Sequence, residues 1–311
     1  MANTVFLGTG FYVPDRVVTN EDLAQWMDTS DEWIRERSGI RERRWIPEGA
    51  GLTGAGMARR ATEMALESAG LEATDIDAII LATLSSDHSF PGTSAFLQAE
   101  LGIPGVPALD VRTQCTGFLY GLSMADAWIR TGQYRTVLLV GVEIQSTGLN
   151  LTTEGRDMAV LFGDGAGAAV LGAFEGDGRG ILSTHLHADG RFAKALWCEA
   201  SSSFKHPRIT SEDVEEGRTY PRMDGREVFK HAVSRMPEVA QTALEVNGLT
   251  ADDLDLLIAH QANARITEGV RKRLGIHESR MYNNIHRYGN TTAASRPIAL
   301  AEAVRDRDMS E

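Results

Sequence analysis

Residues 65–80 read ALESAGLEATDIDAII and residues 243–258 read ALEVNGLTADDLDLLI. The two stretches align without a gap and are identical at nine of sixteen positions. Each reads as a helix end, a short acidic loop and the start of a strand. Gly70 and Gly248 stand where a helix closes in a left-handed cap, a conformation open to a residue without a Cβ. The acidic loops lead into continuous apolar runs, the pattern of strands covered on both faces. Glycine–leucine followed by acidic residues is common at helix–strand joints, but a gapless match of this length favours duplication. The chain is therefore predicted to form two similar halves related by a pseudo-twofold axis. Alternating strands and helices imply parallel sheets with right-handed crossovers. Ligands of such sheets bind at the C-terminal strand ends.

Three residues sit at those ends. Residues 107–118, PALDVRTQCTGF, read as a strand, a tight turn and a helix, which places Cys115 at a helix N-terminus. There the macrodipole and unpaired N–H groups favour a thiolate; the other reading is a small buried hydrophobe. The second copy continues to His260, at the tip of its strand in IAHQAN (258–263). Asn290 lies in YGNTTAAS (288–295), a glycine turn into a helix from about Ala293. Taken singly, a histidine is more often structural and an asparagine after glycine is a turn residue. At matched strand ends of a duplication they form a reactive set. A thiol nucleophile meets an imidazole able to act as base, acid or oxyanion donor, and an amide that donates without titrating.

The 311 residues suit two domains or one large α/β unit, and are divided here at 1–172 and 173–311. Apolar residues make up 42% and charged residues 24%, ordinary values for a protein with a substantial core. With 31 basic and 43 acidic residues the net charge is −12, which argues against non-specific nucleic-acid binding. No apolar run approaches the roughly 18 residues needed to cross a bilayer. The first residues read as a strand, not a signal peptide. Only Cys115 and Cys198 are present, so no disulfide framework or four-cysteine zinc site is expected. A reduced, cytoplasmic setting is the default.

The segments QCTGF (114–118), HQANARI (260–266) and YGNTTAAS (288–295) resemble the three active-site motifs of β-ketoacyl-acyl-carrier-protein synthase III. This thiolase-fold enzyme initiates type II fatty-acid synthesis. The resemblance also takes in SDEWI (30–34) and FGDGAGA (162–168), and runs to about Leu300. It implies an α/β, thiolase-like fold of two βαβαβαββ halves in a layered αβαβα sandwich. It further implies that Cys115 takes an acyl group from acyl-CoA. Malonyl-acyl-carrier protein then loses CO2, and the enolate attacks the acyl-cysteine. His260 and Asn290 would donate to the enolate oxygen, a contribution of roughly 3–4 kcal/mol for a preorganised donor. No metal or redox cofactor is implied. Elongating synthases of this fold use two histidines, and thiolases a second cysteine. Cys198, in LWCE (196–199), matches no such motif and is read as packed.

Binding elements follow from the same resemblance. Trp33 and Arg37, four apart on a helix predicted over 31–37, match positions that pack on and hold the CoA adenine, with Arg156 as a further contact. Spacing alone reads them as an amphipathic helix with a core tryptophan and a solvated arginine. The helix after His260 carries Arg265, Arg271, Lys272 and Arg273 beside an apolar stripe of Ile266, Val270 and Leu274. Arg265, Lys272 and Arg273 are taken as a docking patch for an acidic carrier protein. A solvated face remains the other reading for Arg271 and Arg273. Phe90 resembles a residue that reaches across a homodimer to close the partner's acyl pocket; the other reading is a loop anchor. GDGAG (163–167) lacks the dinucleotide spacing, and reads as a tight turn before a strand.

Related enzymes continue past the position of Glu311 with two strands joined by a glycine-rich turn, which supplies a second oxyanion N–H. The resemblance therefore predicts further chain, and a mass above 33.9 kDa. Three other readings are weighed. One is a specialised-metabolite condensing enzyme or acyltransferase of the same fold. Another is a papain-like peptidase, whose set is also Cys, His and Asn but whose local signature is missing. The last is an inactive scaffold, against which the intact Cys115, His260 and Asn290 speak.

Overall fold

Five strands form the central sheet of the computed structural model, which describes residues 3–176 and 178–307. They are β1 (Asn3–Tyr12), β2 (Ala78–Ala82), β3 (Ala108–Val111), β4 (Thr136–Glu143) and β5 (Gly165–Phe174). The main helices are α1 (Asp31–Ser38), α2 (Gly54–Ala69), α3 (Gly117–Arg130), α4 (Gly225–Val246), α5 (Ala264–Leu274) and α6 (Ser295–Arg307). The strand order is β1-β5-β4-β2-β3. As the βαβ pattern predicts, β2 is parallel to both β3 and β4. The sheet is nevertheless mixed, because β5 runs antiparallel to β4 and to β1. Residues 144–164 contain only short turns and a four-residue helix. With no long crossover helix there, the chain folds straight back on itself.

Alternation along the strands puts a helix layer on each face. Ile79, Leu81, Leu138, Val140 and Val170 pack on Met57, Ala58, Ala61 and Ala65 of α2. Ala78, Ile80, Val137, Leu139, Ala169 and Leu171 pack on Phe118, Ala125 and Ile129 of α3. Gly165 and Gly167 lie on this second face of β5, and Pro297 and Ile298 of α6 rest against them. Helices α3 and α6 thus share one face of the sheet.

The duplication is visible in these elements. The shift that lays Ala65 on Ala243 also lays the single-turn helix Ala73–Asp75 on Ala251–Asp253, and Gln114–Thr116 on Thr292–Ala294. It lays the first residue of α3 on the first residue of α6. Gly70 and Gly248 have φ of +66° and +68°, the left-handed caps expected. In the second half, Leu257 and Met281 meet in an isolated parallel bridge on the predicted strand runs, and α4 packs on α5. The architecture is the layered, thiolase-like α/β arrangement. The chain end from residue 308 to 311 lies outside the described residues. Among those residues no helix is long and apolar enough to cross a membrane.

Candidate active site

β3 ends at Val111, a single turn spans Gln114–Thr116, and α3 starts at Gly117, so Cys115 sits on the strand-to-helix corner. Gln114 is left-handed, with φ of +49°. That costs a non-glycine residue roughly 1–2 kcal/mol and is typical of functional turns. The equivalent turn of the second half, Thr292–Ala294, packs against it and carries its own left-handed residue, Thr292, with φ of +45°. Ala293 is therefore the counterpart of Cys115. From the start of α6, Arg296 donates through Nη1 to the Cys115 carbonyl at 2.9 Å.

The helix N-terminus favours a thiolate at this corner, and burial works against it. Although Cys115 keeps some solvent exposure, burial of its sulfur pushes the thiol up to about 12. The charge of Glu143 adds to the rise, while Arg296 and the Cys115 backbone N–H oppose it. The helix N-terminus is present and no acidic residue stands in the first turn of α3. Desolvation outweighs it.

His260 is buried, and its Nδ1 lies 2.6 Å from Ser295 Oγ. Burial, with Arg296 nearby, pushes it down to about 3, so the imidazole is neutral at ordinary pH. A serine hydroxyl donating to Nδ1 would leave the ring proton on Nε2 and make that nitrogen a donor. Asn290 is buried, and its Oδ1 accepts the Thr292 N–H at 2.9 Å, which reserves its NH2 for donation.

The backbone of Asn290 is clamped on both sides. Its N–H donates to Leu161 O at 2.8 Å, and its carbonyl accepts from Gly163 at 3.2 Å. The two segments approach so closely that a Cβ on Gly163 would strike the Tyr288 carbonyl. One on Gly289 would lie 2.7 Å from Leu161 O, at a φ of +64°. The glycines at 163 and 289 are what this approach requires. Asp164, fully buried, ties the turn down by accepting from the backbones of Ile46, Gln145 and Ser146 at 2.7–2.9 Å and from Ser146 Oγ at 2.6 Å. In the peptidase arrangement an asparagine orients the histidine. Here His260 pairs with Ser295, and the Asn290 side-chain Oδ1 accepts from the Thr292 N–H.

Three functional candidates escaped the sequence reading. Ser295 lay inside a quoted motif without a role. Arg296 is a charged residue at the second position of an otherwise apolar helix start. Glu143 is a carboxylate ending the apolar run 137–142, which was a usable signal. Its side chain is fully buried, accepts from Ser85 Oγ at 2.6 Å, Gln145 Nε2 at 3.1 Å and Leu84 N at 3.2 Å, and also meets Ala293 and Thr292. Burial raises it to about 7 against those hydrogen bonds.

Trp33, Arg37 and Arg156 come together: both guanidinium carbons lie 4.5 Å from the Trp33 ring centroid. The Arg156 Nη1 donates to Asp28 O at 2.5 Å. The Arg37 carbonyl accepts from Asn263 Nδ2 at 2.8 Å, which joins this cluster to the His260 loop. On α5, Ile266 and Val270 are buried, and Arg265, Lys272 and Arg273 are exposed. Arg271 is held by Glu268 in two 2.7 Å contacts, and Lys272 also reaches Glu268 at 3.3 Å. Phe90 is 82% exposed. Cys198 is exposed, not packed as expected, because its loop leaves it at the surface with its thiol directed to Ala200 O at 2.9 Å.

The family model for 3-oxoacyl-[acyl-carrier-protein] synthase III matches residues 109–190, and the model for the C-terminal part of that family matches 244–311. The chain is 47% identical over 311 residues to a β-ketoacyl-[acyl-carrier-protein] synthase III of Rhodospirillum rubrum, covering 98% of this chain and 92% of that one. It is 46% identical over 299 residues to one from Caldanaerobacter subterraneus, covering 96% and 88%. Among solved structures it is similar to 3-oxoacyl-[acyl-carrier-protein] synthase III of Aquifex aeolicus, with TM-score 0.88, 40% identity and coverage of 98% and 92%. The priming β-ketosynthase of the R1128 polyketide pathway gives TM-score 0.84 and 35% identity, with coverage of 98% and 88%.

Proposed function

The chain belongs to the β-ketoacyl-acyl-carrier-protein synthase III family of condensing acyltransferases, and we propose that Cys115, His260 and Asn290 carry out its reaction. An acyl-CoA starter condenses with malonyl-acyl-carrier protein to give 3-oxoacyl-carrier protein, CoA and CO2. The Cys115 sulfur attacks the starter thioester, and CoA leaves as its thiol with the cysteine proton. The malonyl thioester then sheds its carboxyl group as CO2, leaving an enolate. Its carbon attacks the acyl-cysteine, expelling the Cys115 sulfur. Charge develops on the malonyl thioester oxygen, where neutral His260 and Asn290 donate; a donor of that kind lowers the barrier by roughly 3–4 kcal/mol. Charge balance in this scheme calls for no metal or redox cofactor.

The observation that carries the reading is the join between the two halves. The corner bearing Cys115 packs on the turn that follows Asn290 and leads to Ser295, the partner of His260. Trp33, Arg37 and Arg156 serve the adenine of CoA, which would stack on the indole in place of a guanidinium. Arg265, Lys272 and Arg273 receive the acidic carrier protein, while Arg271 serves the helix through Glu268. Phe90 closes the acyl pocket of a partner in a homodimer in the cytoplasm. The halves 1–172 and 173–311 divide the work, with the nucleophile on one and the donors on the other.

Intact-mass measurement after incubation with a panel of acyl-CoAs tests this. One acyl adduct is expected, absent from Cys115→Ser, followed by CO2 release on adding malonyl-acyl-carrier protein. No adduct from any acyl-CoA would refute the proposal.

A further inference from the structure

We propose that Arg296 and Glu143 govern the reactivity of Cys115 from opposite sides, Arg296 as the fixed cation that favours its thiolate and Glu143 as the buried carboxyl group that opposes it. Both are positioning residues, acting through the cysteine without touching substrate. The inference rests on the assignment of Cys115 as nucleophile above.

Arg296 reaches Cys115 across the join between the halves, with Nη1 at 2.9 Å from its carbonyl. Among the described residues it forms no ion pair. Burial lowers it to about 10, still cationic at neutral pH, and what opposes that shift is Cys115 in its ionised form. A guanidinium taken out of water without a carboxylate partner is costly unless its charge is used. Its field reaches both reactive groups in the useful direction, lowering the thiol toward ionisation and keeping His260 neutral as a donor.

Glu143 approaches from the end of β4, in the opposite sense. Its carboxyl group meets Ala293, the counterpart of Cys115, and Thr292, whose Oγ1 also accepts Gln145 Nε2 at 3.2 Å. Its charge raises the Cys115 thiol. The charged groups facing Cys115 are thus Glu143 from β4 and Arg296 from α6, beside the α3 N-terminus; His260 is neutral. Because Glu143 itself gains a proton near neutrality, its opposition fades as pH falls through about 7.

The test is the pH profile of Cys115 alkylation by iodoacetamide. The sulfur displaces iodide, its proton passes to solvent, and peptide mass separates Cys115 from Cys198. Arg296→Met is expected to move the profile up by on the order of one pH unit, the low end for loss of a close opposite charge, and so to slow alkylation about tenfold at fixed pH. Arg296→Lys should restore most of that rate. Glu143→Gln is expected to move the profile down. A general loosening of the site would move both variants the same way, so like-signed shifts, or none, would overturn the proposal. Should Arg296→Met not fold, Glu143→Gln decides alone. Faster alkylation than wild type above pH 7 that vanishes below it, where Glu143 is itself protonated, supports the inference. No gain, or a gain that persists below pH 7, refutes it. Iodoacetamide needs no acyl-CoA binding. Opposed shifts in a protein that accepts no acyl group would sink the proposed function and leave this inference standing.

Discussion

Replacing Glu143 by glutamine should raise stability relative to the wild type increasingly as pH rises. The carboxyl group is fully buried at the end of β4, and burial raises it from an ordinary 4.5 to about 7. Between those values the folded chain holds a proton that the unfolded chain has released. The slope of unfolding free energy with pH is then negative, and stability is lost as pH climbs. The linkage integral for this one group is about 0.8 kcal/mol at pH 5 and about 3.3 kcal/mol at pH 8. Glutamine cannot ionise, keeps the shape, and can still accept from Ser85 and Leu84. Groups that Glu143 does not reach, His260 among them, cancel in the difference, and Cys115, which it does reach, stays protonated between pH 5 and pH 8. Urea unfolding of wild type and Glu143→Gln at pH 5 and pH 8 should therefore show the variant gaining about 2.5 kcal/mol relative to wild type. A difference that does not change with pH would mean that Glu143 ionises normally in the fold, and the account of its burial would be wrong.

Ser295→Ala removes the partner of His260 Nδ1; loss of one hydrogen bond, about 1 kcal/mol, should slow condensation roughly fivefold to tenfold while acylation of Cys115, followed by intact mass, is retained. Because burial and Arg296 depress His260 far below its ordinary value, its ring signal in NMR should not titrate from pH 8 down to pH 5. A midpoint near 6.5 would contradict a neutral, buried donor. Gly163→Ala drives a Cβ onto the Tyr288 carbonyl; thermal unfolding should show a loss of about 1–3 kcal/mol, with malonyl decarboxylation falling more than acylation because Asn290 moves. Trp33→Ala should raise KM for acyl-CoA by on the order of tenfold, from lost stacking of about 1–2 kcal/mol, with little change in kcat.

Much of this site was legible because it is written in local patterns. Gly70 and Gly248 announce their caps, and the apolar runs after them announce buried strands. Cys115 is placed by the strand–turn–helix reading of residues 107–118 alone. What local patterns do not carry is the direction of return. The strand Gly165–Phe174 is as apolar as a parallel strand, and only the short turns of 144–164 make it antiparallel. Ionisation was equally out of reach. The helix N-terminus beside Cys115 argues for a thiolate, but the outcome depends on burial and on Glu143 and Arg296, which are 28 and 181 residues away in the chain (143 − 115 and 296 − 115). Spacing along the helix also leaves open that Glu268, three residues before Arg271, accepts from its Nε and Nη2.

The duplication also accounts for how the roles are divided. Equivalent corners of the two halves, each with a left-handed residue at its start, Gln114 and Thr292, face each other across the join. Had both kept a cysteine, two thiols would stand together in a desolvated space, open to oxidation and crowding the same acyl group. Instead the second corner carries Ala293, while the first corner is held close to the sheet at Gly117, where a Cβ would lie 2.8 Å from the Ala82 methyl. In the proposed reaction the second half presents the donors, His260 held by Ser295 and Asn290 held by Thr292, with Arg296 as the charge beside the nucleophile. A symmetric scaffold becomes an asymmetric site by differences at matched positions: Cys115 against Ala293, Ala82 against His260 and Arg112 against Asn290. The neutral imidazole and the amide then act on the malonyl thioester oxygen as enolate charge develops there, a step of the proposed reaction separate from acylation of the thiol.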